Sequence, residues 1–166
     1  MEQHIIYLDN NATTPMHEDV IEAVHEAHIL YGNASSMHGL GRASAQAIEQ
    51  SRQAIASLID CSAKEVVFTS GASEANNTVF SIIREQIDLG SKRNRIITTT
   101  IEHPSIIETV KYLKSRGYKI DECPVDSTGR VDLATFKRLL GEDVALVSVM
   151  TGNNEIGTIQ PIEEIT

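Results

Sequence analysis

An α/β fold with a mainly parallel sheet and flanking helices is what this 166-residue sequence predicts. Two observations carry that expectation. Strand-like runs at Glu65–Thr69, Arg95–Thr99, Lys119–Cys123 and Val144–Met150 alternate with helix-like runs at Glu74–Leu89, Ser105–Arg116 and Asp132–Leu140. Strands spaced by roughly 25 to 30 residues with helices between them are βαβ units, whose crossovers are right-handed. The second observation is that three of these strands run into polar, small-residue loops: Ser70–Asn77, Thr100–Ser105 and Thr151–Gly157. Parallel strands bring such loops to one edge of the sheet, where open α/β folds bind ligands.

The elements before this alternation read differently. Ile5–Leu8 is a short strand-like run, followed by the polar turn Asp9-Asn10-Asn11-Ala12-Thr13-Thr14-Pro15. Glu18–Tyr31 places Ile21, Val24, His28 and Tyr31 on one stripe of an amphipathic helix that exits at Gly32-Asn33. Ala34–Leu40 is a loop. Arg42–Ile59 repeats Ala47, Ile48, Ser51, Ile55, Leu58 and Ile59 at helical spacing and predicts a long helix. Neither helix has a strand of its own, so both are expected to pack as an arm or onto a partner. At the other end, Gln160-Pro161-Ile162-Glu163-Glu164-Ile165-Thr166 reads as the opening of a helix.

The totals exclude several classes. A formal net charge of −9 argues against nucleic acid as the main partner, because phosphate-backbone contacts need clustered Lys and Arg. No apolar run approaches the roughly 20 residues that span a bilayer, and no membrane partner is expected. Met1-Glu2-Gln3-His4 lacks the basic and apolar regions of a leader. The two cysteines, Cys61 and Cys123, read as core or loop thiols of a reduced protein, and the expected location is cytoplasmic. No metal site is expected. His25-Glu26-Ala27-His28 is one residue short of a zinc pair at i, i+4, and Gly39-Leu40-Gly41-Arg42-Ala43-Ser44 follows a loop rather than the strand a dinucleotide fingerprint requires.

Chemistry concentrates in the three loops. Thr69-Ser70-Gly71-Ala72-Ser73-Glu74 turns from a β-branched run (Val66, Val67, Phe68) into a helix, leaving backbone N–H groups free at the helix start. Small residues let an anion approach those groups, and the aligned peptide dipoles favour it. Ser73 can equally be a plain helix cap. His103 offers a flat ring or a proton near neutral pH, or it opens a helix before Pro104. Asn154 offers an amide to an oxyanion or phenolate, or with Asn153 it simply makes a turn between Gly152 and Gly157.

Taken together, Tyr7–Pro15, Gly32-Asn33-Ala34-Ser35-Ser36-Met37-His38, Phe68–Glu74, Glu102-His103, and Val147–Met150 with Asn153-Asn154-Glu155-Ile156-Gly157 resemble the cysteine desulfurases of nitrogen fixation and iron–sulfur assembly. The motifs fall in that family's order and cover nearly the whole chain. The resemblance implies part of the large domain of a pyridoxal-phosphate fold type I, aspartate-aminotransferase-like enzyme. By motif, Ala72 and Ser73 would bind the cofactor phosphate. His103 would stack on the pyridine ring and act as the catalytic histidine, and Asn154 would hydrogen-bond the phenolic oxygen. Ser73 stands where the family commonly has Thr, which keeps the hydroxyl. Ala34 stands where it usually has Pro, a small loss of rigidity.

The implied activity is conversion of L-cysteine to L-alanine, with sulfur passed as a persulfide to an acceptor or iron–sulfur scaffold protein by a homodimer. The resemblance also implies a Schiff-base lysine, an aspartate facing the pyridine nitrogen and a mobile sulfur-accepting cysteine. No lysine here sits in the expected motif, and neither Cys61 nor Cys123 sits in the family's catalytic loop. The sequence therefore reads as roughly the first two-fifths of such an enzyme, inactive alone and binding cofactor weakly at most. Residues 1–16 are expected as an arm and 17–166 as an incomplete large domain. Alternatives are a selenocysteine lyase or other class-V aminotransferase relative, and a non-catalytic split subunit.

Overall fold

A computed structural model of the chain describes residues 6–166. It divides after Phe68 into two compact units. In the first, α1 (Glu18–Ala27) starts at His17, whose side chain accepts the Asp19 backbone amide. It stops short of Tyr31 because Ile29 and Leu30 bond back to Glu26 and Ala27, an i to i+3 pattern that tightens and ends the helix. No residue of α1 is buried, and Ile21 and Val24 lie exposed on the predicted stripe.

Helix α2 (Gly39–Leu58) begins three residues before Arg42 because His38 caps it, Nδ1 accepting the Gly41 amide at 3.2 Å. Gly41 is buried against the preceding loop, where a Cβ would overlap the Ser36 carbonyl oxygen. A 3-10 turn, Ala63–Glu65, follows in a capping box: Ser62 receives Lys64 N, and Glu65 returns to the Ser62 amide.

Among the described residues, two predicted strands do not form. Ile5 lies outside the described residues, as does the Met1–His4 stretch, and Ile6, Tyr7 and Leu8 are exposed without strand pairing. The run Glu65–Thr69 is not a strand either. Glu65 belongs to the capping box, the Val66 carbonyl accepts the Arg52 guanidinium, and that guanidinium also sits 5.0 Å from the centre of the Phe68 ring. Val67 is 76 % exposed. A strand is made by a neighbour, and none among the described residues pairs with this one.

The second unit, Thr69–Thr166, contains the sheet. Its elements are α3 (Ala72–Asp88), β1 (Arg95–Thr99), α4 (Pro104–Ser115), β2 (Lys119–Cys123), α5 (Leu133–Leu139), β3 (Val144–Val147) and α6 (Ile162–Ile165). The strands are parallel in the order β2-β1-β3. β1 meets β2 in unbroken register from Arg95↔Lys119 to Thr99↔Cys123. Against β3 the register slips once, Arg95 facing Val144 and Ile96 facing Leu146, so Ala145 is an extra residue.

Alternation along β1 sends its isoleucines to opposite faces. Ile96 packs with Phe80 of α3 and Ile106, Val110 and Leu113 of α4. Ile97 packs with Cys123, Val131 and Phe136 of α5. The slip at Ala145 lets Val144 and Val147 both reach this second cluster. At the strands' N-terminal end, Arg95 forks onto Asp143 (2.9 Å twice) and reaches Asp121 at 2.6 Å, fastening all three strands. The Arg95 guanidinium holds the Asp143 carboxyl below the usual carboxylate range.

Phe136 is 1 % exposed at the centre of the second cluster. Phe136→Ala is expected to lower unfolding free energy by about 3–5 kcal/mol, read as a shift of the urea midpoint.

Candidate active site on the C-terminal sheet edge

All three strands point their C-terminal ends the same way, so the segments after β1 and β3 leave one edge. Helix α3 runs back to the start of β1 and therefore has its own N-terminus at that edge, as does α4, which follows β1.

At α3 the helix starts at Ala72, with extended Gly71 as N-cap and no side-chain cap. Ser73 is thus not the cap that one reading of the sequence allowed; it lies in the first turn. The first backbone bond of the helix is Ala75 N to Gly71 O at 3.1 Å, so the amides of Ala72, Ser73 and Glu74 precede the helical ladder. Residues Gly71–Glu74 are exposed, and nothing lies within 4 Å of a Cβ built at Gly71. Glu74 Oε2 reaches back to the Ser70 amide at 2.6 Å. Hydrogen bonds from Ser70 hold its carboxyl below the ordinary glutamate value.

After β1, His103 is exposed and is the N-cap of α4, with Pro104 in the first helical position. Its Nδ1 accepts the Ser105 amide at 3.1 Å and lies 2.9 Å from the Ser105 hydroxyl. The two readings of His103 are therefore compatible: one ring nitrogen caps the helix, while the ring faces and Nε2 are left over. Ser105 Oγ also accepts Asn76 Nδ2 of α3 at 3.0 Å, and Thr109 Oγ1 donates to Asn77 Oδ1 at 2.9 Å. Ser73 and Ser105 line one shallow groove of about 340 Å³ between α3 and α4.

After β3, ladder pairing extends one bond further, Ser148 N to Ile97 O at 2.8 Å, and then the chain diverts. Thus β3 ends before the predicted Met150. The Met150 amide donates instead to Glu102 Oε1 at 3.1 Å, and the Thr99 hydroxyl donates to the same oxygen at 2.6 Å. Glu102 is only 5 % exposed. Burial pushes its carboxyl above the usual glutamate value, against the opposing pull of those two hydrogen bonds.

The asparagine pair divides its labour. Asn153 Nδ2 donates to the Ile101 carbonyl at 2.9 Å, while its Oδ1 accepts Glu155 N and Ile156 N. Asn154 is exposed at the tip of the hairpin closed by Gly152↔Ile159, its amide donating to Glu155 Oε1 at 3.2 Å. Beneath the hairpin, buried Gln160 accepts Val131 N and donates to Gly129 O.

Of the residues singled out in the sequence, Ala72, Ser73, His103 and Asn154 all stand exposed on segments of this edge, tied together by Asn76–Ser105, Glu102–Met150 and Asn153–Ile101. Sequence reasoning missed Asn76, Ser105 and the Glu102 clamp. The signal for the last was a carboxylate three residues beyond the end of the β1 run and beside a loop histidine. Both cysteines are free: Cys123 is buried, where desolvation raises its thiol pKa, and Cys61 is half-buried after α2.

Along the C-terminal edge of the parallel sheet lie an open helix start, a flat exposed ring and an exposed side-chain amide, donor types that suit an anionic, flat ligand. Comparison with known proteins gives the family. The model of aminotransferase class V matches residues 6–166, and the chain belongs to that family. It is 39% identical over 163 residues to the cysteine desulfurase NifS of Azotobacter vinelandii, covering 96% of this chain and 40% of that protein. To the putative cysteine desulfurase IscS 1 of Bacillus subtilis it is 43% identical over 162 residues, covering 96% and 42%. A solved NifS-like protein superposes with a TM-score of 0.90 at 40% identity, over 96% of this chain and 44% of that one. Another, described as SspA in complex with cysteine, gives 0.86 at 29% identity, over 96% and 46%. The chain thus spans about two-fifths of the length of the curated relatives it matches. Its fold is part of a fold type I large domain, and the family depends on pyridoxal phosphate.

The raised Glu102 pKa has a signed consequence. Between the ordinary glutamate value and the raised one, the native state holds more protons than the unfolded chain, so this group lowers stability as pH rises through that window. Glu102→Gln keeps the Oε1 acceptor and removes the charge. The variant is expected to be more stable than the parent at about pH 7.5 and to lose that advantage near about pH 4, as read from paired urea midpoints.

Proposed function

We propose that this chain carries the phosphate-and-ring half of a cysteine desulfurase active site. In this reading the whole protein releases sulfur from L-cysteine, leaves L-alanine, and hands the sulfur as a persulfide to an acceptor protein that feeds iron–sulfur assembly. Three hydrogen-bonded loops on one sheet edge carry the reading, in a chain whose cysteine-desulfurase relatives match it from end to end of the described residues. A structural relative described as bound to cysteine supports the substrate class.

Pyridoxal phosphate fits the donors present. The uncapped start of α3 offers the amides of Ala72 and Ser73 and the Ser73 hydroxyl to a dianion, with the helix dipole adding to the attraction. His103 offers an exposed ring for stacking, with Nε2 left to hold or deliver a proton beside the substrate. Asn154 donates its side-chain amide to the phenolic oxygen, exchanging its present bond to Glu155. When bound, the cofactor supplies an electron sink for charge developing at the substrate α-carbon. The covalent lysine, the aspartate facing the pyridine nitrogen and the sulfur-accepting cysteine belong, in this reading, to the part of the relatives' length that this chain does not span. Dimerisation and delivery to a scaffold protein are likewise functions of the whole protein, and its place is the cytoplasm.

The test is a titration of the chain with pyridoxal phosphate. Weak, non-covalent binding is expected, with Ser73→Ala weaker by about 10-fold through loss of one hydrogen bond to a charged group. Borohydride reduction is expected to modify no single lysine. Stoichiometric reduction at one lysine contradicts the division of the site; identical affinity in Ser73→Ala contradicts the phosphate seat. In the whole protein, His103→Ala is expected to slow alanine formation by about 10²–10⁴-fold.

A further inference from the structure

The bonds around His103 determine more than its place. The Ser105 backbone N–H can only donate, and it points at His103 Nδ1 from 3.1 Å. Nδ1 therefore keeps its lone pair, and in the neutral ring the proton is on Nε2. The Ser105 hydroxyl stands 2.9 Å from the same nitrogen and already accepts Asn76 Nδ2 at 3.0 Å. Because Nδ1 carries no proton it can only accept across that 2.9 Å, so the hydroxyl donates to it while its oxygen accepts the Asn76 amide. The result is a one-way chain, Asn76 Nδ2–H to Ser105 Oγ–H to His103 Nδ1, running from the second turn of α3 to the ring.

We infer that the Ser105 backbone amide fixes His103 as its Nε2–H tautomer, and that Asn76 and the Ser105 hydroxyl are positioning groups that set its ring orientation from the same helix whose first turn forms the phosphate seat. This rests on the cofactor reading above for its purpose, but not for its geometry. Its consequence is that the two ends of a bound cofactor are registered against one rigid element. The phosphate end meets Ala72 and Ser73 at the start of α3, and the ring meets a histidine oriented by Asn76 one turn further along it. The arrangement also leaves Nε2 as the one ring nitrogen able to exchange a proton with a ligand. The direction of each bond matters. In Asn76→Asp a carboxylate would accept the Ser105 proton and turn it away from His103, whereas Ser105→Thr keeps the hydroxyl and the backbone donor.

Nitrogen-15 spectra of the imidazoles in the intact 166-residue chain test this. His103 is assigned by its absence in His103→Ala, and sheet amides and urea midpoints confirm that each variant is folded. The parent is expected to show the Nε2–H tautomer with a hydrogen-bonded Nδ1. Ser105→Ala and Asn76→Asp are expected to move the Nδ1 resonance toward that of an unbonded nitrogen, and Ser105→Thr to restore it. Pyridoxal phosphate affinity should fall about 3- to 10-fold in Ser105→Ala. An Nδ1–H tautomer in the parent overturns the inference, as does an unchanged Nδ1 signal in either disruptive variant. Should Ser105→Ala fail to fold, the parent tautomer and Asn76→Asp decide. If the tautomer pattern holds while added pyridoxal phosphate leaves the His103 signals untouched, the cofactor reading fails and the positioning chain stands.

Discussion

The Glu102 carboxylate takes the Thr99 hydroxyl and the Met150 amide on one oxygen, and in doing so ties together two segments 48 residues apart in sequence. The arrangement of the sheet edge depends on it. Met150 N–H is drawn out of the β3 ladder, so the chain leaves the sheet there and folds into the hairpin that carries Asn154. Glu102 itself is anchored by Thr99, the last residue of β1, and its neighbour is His103. A buried carboxylate is costly unless its oxygens are paired. Here both donors fall on one Glu102 oxygen, and that pairing holds the segments after β1 and β3 in fixed relation.

The opposite end of the sheet is built with the reverse economy. Arg95 is half-buried and satisfied by two carboxylates, Asp121 in β2 and Asp143 just before β3, so it helps fix strand order without burying unpaired charge. Between these ends, the two isoleucines of β1 give each face its own core, under α3 and α4 on one side and α5 on the other. The middle of the sheet is packed on both faces, and the candidate site lies in what emerges at its C-terminal end.

Much of this was legible in the sequence, for identifiable reasons. Arg95–Thr99 and Lys119–Cys123 match β1 and β2 residue for residue because each is bounded by turn formers and stands between strong helical repeats. Val66–Phe68 carries the same local signal and is not a strand, because pairing is supplied by a neighbour and not by the run itself. His103 and Asn154 could be picked out as exposed polar residues in loops. The roles of Glu102, Asn76 and Ser105 could not, since each is defined by a contact 29 to 48 residues away. Nor could sequence say which residue of the Asn153–Asn154 pair would be consumed by the turn; the carbonyl of Ile101 decides that.

In the proposed function the start of α3, His103 and the hairpin tip form a single ligand seat. Backbone and side-chain amide spectra of the chain, followed as pyridoxal phosphate is added, test it most directly. Ala72, Ser73, His103 and Asn154 are expected to shift together along one binding curve, with the β2 and α5 amides unmoved. Shifts that follow different curves at the three segments, or that bypass Ala72 and Ser73 altogether, would contradict it.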